Sequence, residues 1–61
     1  MRTFTDSELA AVAEREVKQR KRVYPRLVEK GRMTQEAADF ETNAMQEMAR
    51  YFRNRANPTL L

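Results

Sequence analysis

One segment near the middle of the chain constrains the fold more than any other. Residues 23–36 read as the end of one helix, a turn at Gly31 and the start of a second helix after Thr34. Glycine is favoured where a helix stops in a left-handed conformation, and threonine is favoured as the residue that caps a new helix. Amphipathic segments of similar length flank this turn, and the linker is too short for anything except an antiparallel return. The sequence therefore predicts an all-α fold, an antiparallel two-helix hairpin.

The ends of the first helix have clear local signals. Thr5 and Glu8 have the spacing of a capping box, in which each side chain accepts a hydrogen bond from the backbone N–H of the other residue. We expect helix one to span about residues 6–30. Pro25 removes one backbone donor and crowds a preceding carbonyl, and the apolar periodicity continues past it. The prediction at Pro25 is therefore a kink rather than a break.

The second helix is expected to span about residues 35–56, after the cap at Thr34. Pro58 cannot continue a helix, so residues 57–61 are expected to form a C-terminal tail. The chain shows no repeat, no low-complexity run and no change of composition that would mark a boundary. We predict a single helical-hairpin domain over residues 1–61.

A hairpin of this size cannot bury its apolar stripes alone. A core built from 61 residues is marginal without disulfides, a metal or oligomerisation, and the chain contains neither Cys nor His. Association with a second copy remains, and two hairpins packed face to face form a four-helix bundle. We predict a homodimer with a core of Leu9, Val17, Tyr24, Leu27, Met45, Met48 and Phe52. The alternative is that the same stripe docks onto a different protein.

Three charged residues, Glu16, Arg20 and Glu41, fall within this predicted apolar stripe. One interpretation is that the long side chains reach the rim, with Glu16 and Arg20 forming an i,i+4 pair. The other is a polar layer in which Arg20 meets Glu16 or Glu41, with the Tyr24 hydroxyl as a further partner. Such a layer would set the pairing of the helices rather than add net stability. A catalytic carboxylate pair has no support, because no residue supplies an acid or base near neutrality.

Basic residues are concentrated in the second half of helix one. Between Arg15 and Thr34 there are eight basic residues and two acids, whereas residues 35–49 contain four acids and no base. The outer side of helix one carries Arg15, Lys18, Arg22 and Arg26. Such a stripe could lie along a phosphate backbone. The alternative is a solvated face, partly neutralised by helix two, and the modest net charge of +3 favours it.

Composition also limits the function. Without His, Cys or a glycine-rich loop, the chain is predicted to have no enzyme activity, no metal and no cofactor. No apolar run approaches the roughly 20 residues that span a bilayer, and no signal pattern is present, so we expect a cytoplasmic protein without a membrane partner. The predicted function is binding to another protein through the flank that a dimer leaves exposed, formed by Val12, Val23, Phe40 and Tyr51. The alternative is a small nucleic-acid-binding regulatory protein that uses the basic side of helix one.

The residues around the turn also carry a resemblance to a known group. The motif comprises Val23-Tyr24-Pro25-Arg26-Leu27-Val28, Gly31, Met33-Thr34-Gln35-Glu36-Ala37-Ala38-Asp39, Glu41, Met45 and Met48. This pattern resembles small proteins encoded by tailed phages and prophages, over roughly residues 14–52. That group has no catalytic motif, so the resemblance assigns no site residues. It implies a bacterial cytoplasmic setting and a product that binds a host or phage protein.

Overall fold

A computed structural model describes residues 3–57, which form two α-helices and no strand. Helix α1 spans Asp6–Glu29 and helix α2 spans Gln35–Ala56. Two ion pairs, Asp6 with Arg55 and Glu14 with Arg53, join the first half of α1 to the last turns of α2, so the helices run antiparallel. The helical hairpin predicted from the sequence is therefore confirmed. Of the predicted C-terminal tail, residues 58–61 lie outside the described residues.

Side-chain caps fix where both helices begin. The backbone N–H of Glu8 donates to the Thr5 hydroxyl at 3.0 Å, and the backbone N–H of Thr5 donates to the Glu8 carboxylate at 2.9 Å. This is the predicted capping box, and it satisfies donors that the first turn of a helix leaves unpaired. At the second start, the backbone N–H of Ala37 donates to the Thr34 hydroxyl at 3.0 Å. Thr34 is thus the N-cap of α2, as predicted.

Gly31 ends the first helix in the predicted left-handed conformation, with φ at 73°. The Gly31 N–H donates to the Val28 carbonyl at 3.0 Å, and the Arg32 N–H donates to the Leu27 carbonyl at 2.9 Å. These two bonds form a Schellman motif, which pairs the last carbonyls of a helix. The helix ends at Glu29, one residue earlier than predicted, with Lys30 as its cap. Upstream, α1 passes through Pro25 without interruption.

Four alanines form the contact seam between the helices. Among residues 3–57, only these are buried apolar residues: Ala10, Ala13, Ala38 and Ala49. Ala10 is completely shielded from solvent, and none of the described residues has a large side chain that is fully buried. Because an alanine side chain is a single methyl group, helices that meet through alanines can approach closely while larger side chains spread to either side of the seam. The hairpin is therefore a single layer of two helices with two broad, solvent-facing sides.

The two broad sides have different compositions. One, here called the apolar face, is lined on α1 by Leu9, Val12 and Glu16 and on α2 by Met45. The other, here called the polar face, is lined by Glu14, Lys18 and Lys21 of α1 and by Gln46, Arg50, Arg53 and Asn54 of α2. One helix contributes residues to both sides because residues two positions apart, such as Glu14 and Glu16, point to opposite sides of a helix.

Candidate functional site: an apolar face and a cationic groove

The apolar face contains a shallow groove of about 480 Å³ between the helices. Its lining comprises Phe4, Glu8, Leu9, Val12, Ala13, Glu16, Arg20 and Met45. Val12 is 54% exposed in this groove, and Met48, one helical turn beyond Met45, is 45% exposed. Leu27 lies eighteen residues, or five helical turns, after Leu9 and therefore extends the same face toward the glycine turn. Large apolar side chains thus run along this side of the hairpin without a covering layer.

Arg20 is the centre of a polar cluster set within this apolar face. Its Nε donates to the Glu16 carboxylate at 3.0 Å. Its Nη1 donates to the backbone carbonyl of Glu41 at 2.7 Å and to the Glu41 carboxylate at 3.4 Å. The Arg20 side chain is 16% exposed, whereas both carboxylates are more than 40% exposed. The structure therefore brings together the three charged residues that the sequence placed within the apolar stripe.

Tyr24 joins this cluster in a way that the sequence analysis did not predict. The guanidinium carbon of Arg20 lies 5.8 Å from the centroid of the Tyr24 ring, within the range of a cation–π contact. The predicted contact through the Tyr24 hydroxyl is not formed among the described residues. The correction has a geometric cause, because Tyr24 follows Arg20 by one helical turn and the arginine lies over its ring.

A second group of aromatic and charged residues closes the open end of the hairpin. Tyr51 and Phe52 pack edge to face, with ring centroids 5.2 Å apart. Arg55 Nη1 donates to the Tyr51 hydroxyl at 3.2 Å, and Arg55 Nε donates to the Asp6 carboxylate at 3.2 Å. These contacts, the Tyr51 one first, raise the pKa of Arg55 above its ordinary value. The pair with Asp6 holds the start of α1 against the last turn of α2.

The polar face is fastened by a bidentate ion pair between Glu14 and Arg53. Arg53 Nη2 and Nε donate to the two Glu14 oxygens at 2.8 and 2.9 Å. These hydrogen bonds are the main reason that the pKa of Glu14 lies below its ordinary value; partial burial opposes them, and the charges of Arg53 and Lys18 add to them. The same hydrogen bonds raise the pKa of Arg53. Sequence reasoning missed this pair, although the antiparallel return places residue 14 across from the region around residue 53.

Around this ion pair the polar face forms a groove of about 390 Å³, here called the cationic groove. Its floor is Val17 and Ala49, and its walls carry Lys18, Lys21, Arg50 and Arg53. Glu14 is the acid among the residues that line it. Val17, predicted to lie in the dimer core, therefore borders the opposite side of the seam from Leu9 and Met45.

The basic stripe on the outer side of α1 is exposed along its length. Arg15, Lys18, Arg22 and Arg26 are all exposed, and the first three line one shallow surface with Gln19. Arg22 Nη2 donates to the Gln19 side-chain oxygen at 2.8 Å. None of these four cations forms an ion pair with an acid within residues 3–57. Helix two therefore leaves the positive charge of this stripe unneutralised by direct contact.

The residues predicted for the dimer core and for the partner surface differ in their solvent exposure. Of the predicted dimer core, Met48 is exposed and six residues are partly buried: Leu9, Val17, Tyr24, Leu27, Met45 and Phe52. Of the predicted partner surface, Val12, Phe40 and Tyr51 are exposed and Val23 is partly buried. Phe40 is the most exposed large apolar residue of the described chain, at 69%. All of these residues retain surface that a further protein layer would remove from water.

Residues 3–57 contain neither a cluster of metal-binding side chains nor a membrane-spanning helix. No group of three or more His, Cys, Asp or Glu side chains is arranged to hold a metal ion. Neither helix is long and apolar enough to cross a membrane. In comparisons with known proteins, no family model matches the chain, and no curated protein or solved structure shows significant similarity to it.

Proposed function

We propose that this chain is a non-enzymatic protein-interaction module that works as a homodimer, with two hairpins packed through their apolar faces into a four-helix bundle. The main observation behind the proposal is that the hairpin leaves its large apolar side chains exposed. Within residues 3–57, the buried apolar residues are all alanines, while Phe4, Val12, Phe40, Met48 and Tyr51 are each at least 45% exposed. Stable domains bury such side chains between two layers, and the hairpin has one layer.

The exposed area is consistent with a missing layer. The chain exposes 5159 Å². A compact monomer of 7.2 kDa would expose about 4,100 Å² on the usual scaling of area with mass. An open single layer of two helices, such as this hairpin, exposes more surface than a compact monomer of the same mass. A second copy of the same single layer can cover this area.

The Arg20 cluster supports pairing between copies of this chain. Arg20 uses Nε and Nη1 for its contacts with Glu16 and Glu41, and its Nη2 has no hydrogen-bond partner among the described residues. A carboxylate of the second copy, contributed by Glu16 or Glu41, would satisfy this donor, and a two-fold axis makes the contact reciprocal. We propose that the cluster sets the register of the two hairpins, because a buried charge that loses its partner is costly.

Protection of an engineered thiol tests the dimer face directly, because the chain contains no cysteine. Met48→Cys places a thiol on the apolar face, and Asn43→Cys places one at an exposed polar position of the same helix. We expect the alkylation rate of Met48→Cys to fall as protein concentration rises, since dimerisation covers the thiol, while the rate of Asn43→Cys stays constant. Equal and concentration-independent rates at both positions would contradict the proposal.

Capture of a further protein is assigned to the margin of the apolar face. Of the four residues predicted for a partner surface, Val23, Phe40 and Tyr51 are assigned to the flanks, where a face-to-face dimer leaves apolar surface exposed. Val12 lines the groove of the apolar face and would be covered by the dimer. The resemblance to phage and prophage products suggests a bacterial host or phage protein as the target. The double change Phe40→Ser and Tyr51→Ser should weaken capture from nuclease-treated bacterial lysate without changing the helical circular-dichroism signal. Asn43→Ser on the same helix is the control and should capture the target as the native chain does.

A second candidate function is binding to nucleic acid, favoured by the unneutralised basic stripe. Flexible cations along one side of a helix contact phosphates without reading sequence, and their binding weakens as salt rises. Reversing Lys18, Arg22 and Arg26 to Glu should then abolish duplex binding and leave the fold and the dimer intact. If capture from lysate survives Phe40→Ser with Tyr51→Ser but disappears with nuclease or high salt, this second function replaces the first.

A further inference from the structure

The cationic groove on the polar face has an excess of positive charge that the hairpin itself does not use. Arg53 is bound to Glu14, and Arg50 is bound to Glu47 at 2.7 Å. Lys18 and Lys21 stand along the opposite wall, and neither forms an ion pair or a hydrogen bond within residues 3–57. Two unpaired ammonium groups therefore project beside a groove in which the carboxylate of Glu14 is already occupied.

The floor of the groove is apolar, which distinguishes it from a simple charged surface. Val17 and Ala49 lie between the two walls, and the groove is bounded by the amides of Gln46 and Asn54. On α1 it extends from Glu14 to Lys21, about two helical turns or about 10 Å. A ligand that fills it must present apolar atoms to the floor and negative charge to the walls.

The shape of the groove favours a helix over a nucleic acid. Two antiparallel helices leave a groove along their seam into which the side-chain ridge of a third helix fits. None of the residues that line the cationic groove is aromatic, so it provides no platform on which bases could stack. A phosphate backbone also has no apolar ridge that would cover Val17 and Ala49.

We infer that the cationic groove is a docking site for an acidic amphipathic helix of a partner protein. The inference rests on the proposed protein-binding function and names the chemistry of the partner. The apolar residues of the docked helix cover Val17 and Ala49. Carboxylates on either side of that apolar stripe, spaced by three or four residues, pair with Lys18 and Lys21 on one wall and reach Arg50 on the other.

A synthetic peptide provides the probe for this site. An 18-residue helix with Leu along one face and Glu on both sides of it, labelled with fluorescein, can be titrated by fluorescence anisotropy. Lys21→Glu and Arg22→Glu form a matched pair, because the residues are neighbours and the charge change is the same, but Lys21 lines the groove and Arg22 lies on the outer stripe. We expect Lys21→Glu to raise the Kd at least about tenfold and Arg22→Glu to raise it less than about threefold.

Two altered probes separate groove docking from general charge attraction. A peptide with the Leu residues changed to Ser keeps every carboxylate, so its binding should fall at least about tenfold if the apolar floor is used. A DNA duplex of equal charge would use the outer stripe, so Lys21→Glu should weaken its binding no more than Arg22→Glu does; a larger effect of Lys21→Glu on the duplex would contradict docking of a helix in the groove. The inference is overturned if the native chain does not bind the peptide, if both variants weaken binding equally, or if the Ser peptide binds as well as the Leu peptide.

The result of the peptide titration can be interpreted separately from the thiol-protection test of the dimer. Occupation of the groove by a second copy would overturn the inference, and it would appear as a change in the monomer–dimer equilibrium of Lys21→Glu without peptide. Protection of Met48→Cys reports on the apolar face alone. If the Met48→Cys thiol is not protected but peptide binding depends on Lys21, the proposed dimer is rejected and the docking site is supported. If the thiol is protected but peptide binding does not depend on Lys21, only the docking site is rejected.

Discussion

The two broad sides of the hairpin differ in what they expose to solvent: mainly hydrocarbon on the apolar face and mainly positive charge on the polar face. On the apolar face the charged groups pair with one another around Arg20, and exposed hydrocarbon such as Val12 and Met48 remains. On the polar face the apolar floor is small, formed by Val17 and Ala49, and the cations of the walls remain. Burial of hydrocarbon supplies most of the free energy of association, whereas charge supplies direction and choice of partner. One layer of two helices thus leaves hydrocarbon exposed on the side proposed to assemble and positive charge exposed on the side proposed to dock a helix.

The largest expected effect comes from placing a charge on the side proposed to assemble. Met48→Glu would bury an unpaired carboxylate in the dimer at a cost of about 3 kcal/mol or more, which corresponds to a more than hundredfold weaker dimer. Asn43→Glu adds the same charge at an exposed polar position of the same helix and should leave the dissociation constant unchanged. Sedimentation velocity over a dilution series measures both variants. Equal dimer affinities would show that the two sides do not differ as proposed.

The next effect concerns the seam on which both sides depend. Ala10 is completely buried, so Ala10→Leu must push the helices apart and should lower the free energy of unfolding by about 2 kcal/mol. Ala37→Leu adds the same atoms at an exposed position of α2 and should change it little. Thermal unfolding followed by circular dichroism distinguishes them. A fully stable Ala10→Leu variant would mean that alanine contacts do not set the helix separation.

A smaller effect is expected at the turn, which fixes how α2 lies against α1. No atom lies within 4 Å of the position that a Cβ of residue 31 would occupy, so space does not limit this site and the positive φ does. Gly31→Val should cost about 1 kcal/mol or more, since a β-branched residue fits that conformation poorly. Gly31→Asn should cost less, because asparagine tolerates it. Identical melting temperatures for the two variants would contradict this account of the turn.

The smallest effect is the pH dependence of the ion pair on the polar face. The folded pKa of Glu14 is lowered, so its stabilising contribution is complete above the ordinary pKa of 4.5 and is lost as pH falls through the lowered folded value. The difference in melting temperature between the native chain and Glu14→Gln should therefore shrink on acidification across that range. The difference in melting temperature between the native chain and Arg53→Gln should shrink in the same way, because this variant removes the other half of the pair. A difference that stays constant across this range would mean that the pair is absent in solution.

Local signals in the sequence were sufficient to locate the helices. Thr5, Gly31 and Thr34 act through backbone groups only a few residues away, so their effects can be predicted without knowledge of the tertiary fold. The charged cluster could also be predicted in part, because Glu16 and Arg20 are one helical turn apart. The contact of Arg20 with the ring of Tyr24, rather than with its hydroxyl, could not be predicted, because it depends on side-chain conformation.

The alanine seam within the hairpin was not predicted. Leu9 and Met45 were predicted for the core of a dimer, and that stays a prediction; within one hairpin, Ala10 and Ala13 are buried and the larger side chains are not. Periodicity identifies the apolar side of a helix, whereas the small residues within that side decide where a neighbouring helix can approach most closely. The pair of Glu14 and Arg53 was also missed, since it requires the register of α2 against α1 as well as the direction of each helix.

Sedimentation equilibrium of the native chain at micromolar concentration tests the central claim most directly. The claim is that the exposed apolar face is covered by a second copy, so the measured mass should be twice the 7.2 kDa of one chain. Dilution should shift that mass toward a monomer through a single two-state equilibrium. A mass of 7.2 kDa at these concentrations, with the helical circular-dichroism signal retained, would contradict it, because the hairpin would then be stable with its apolar face open to water.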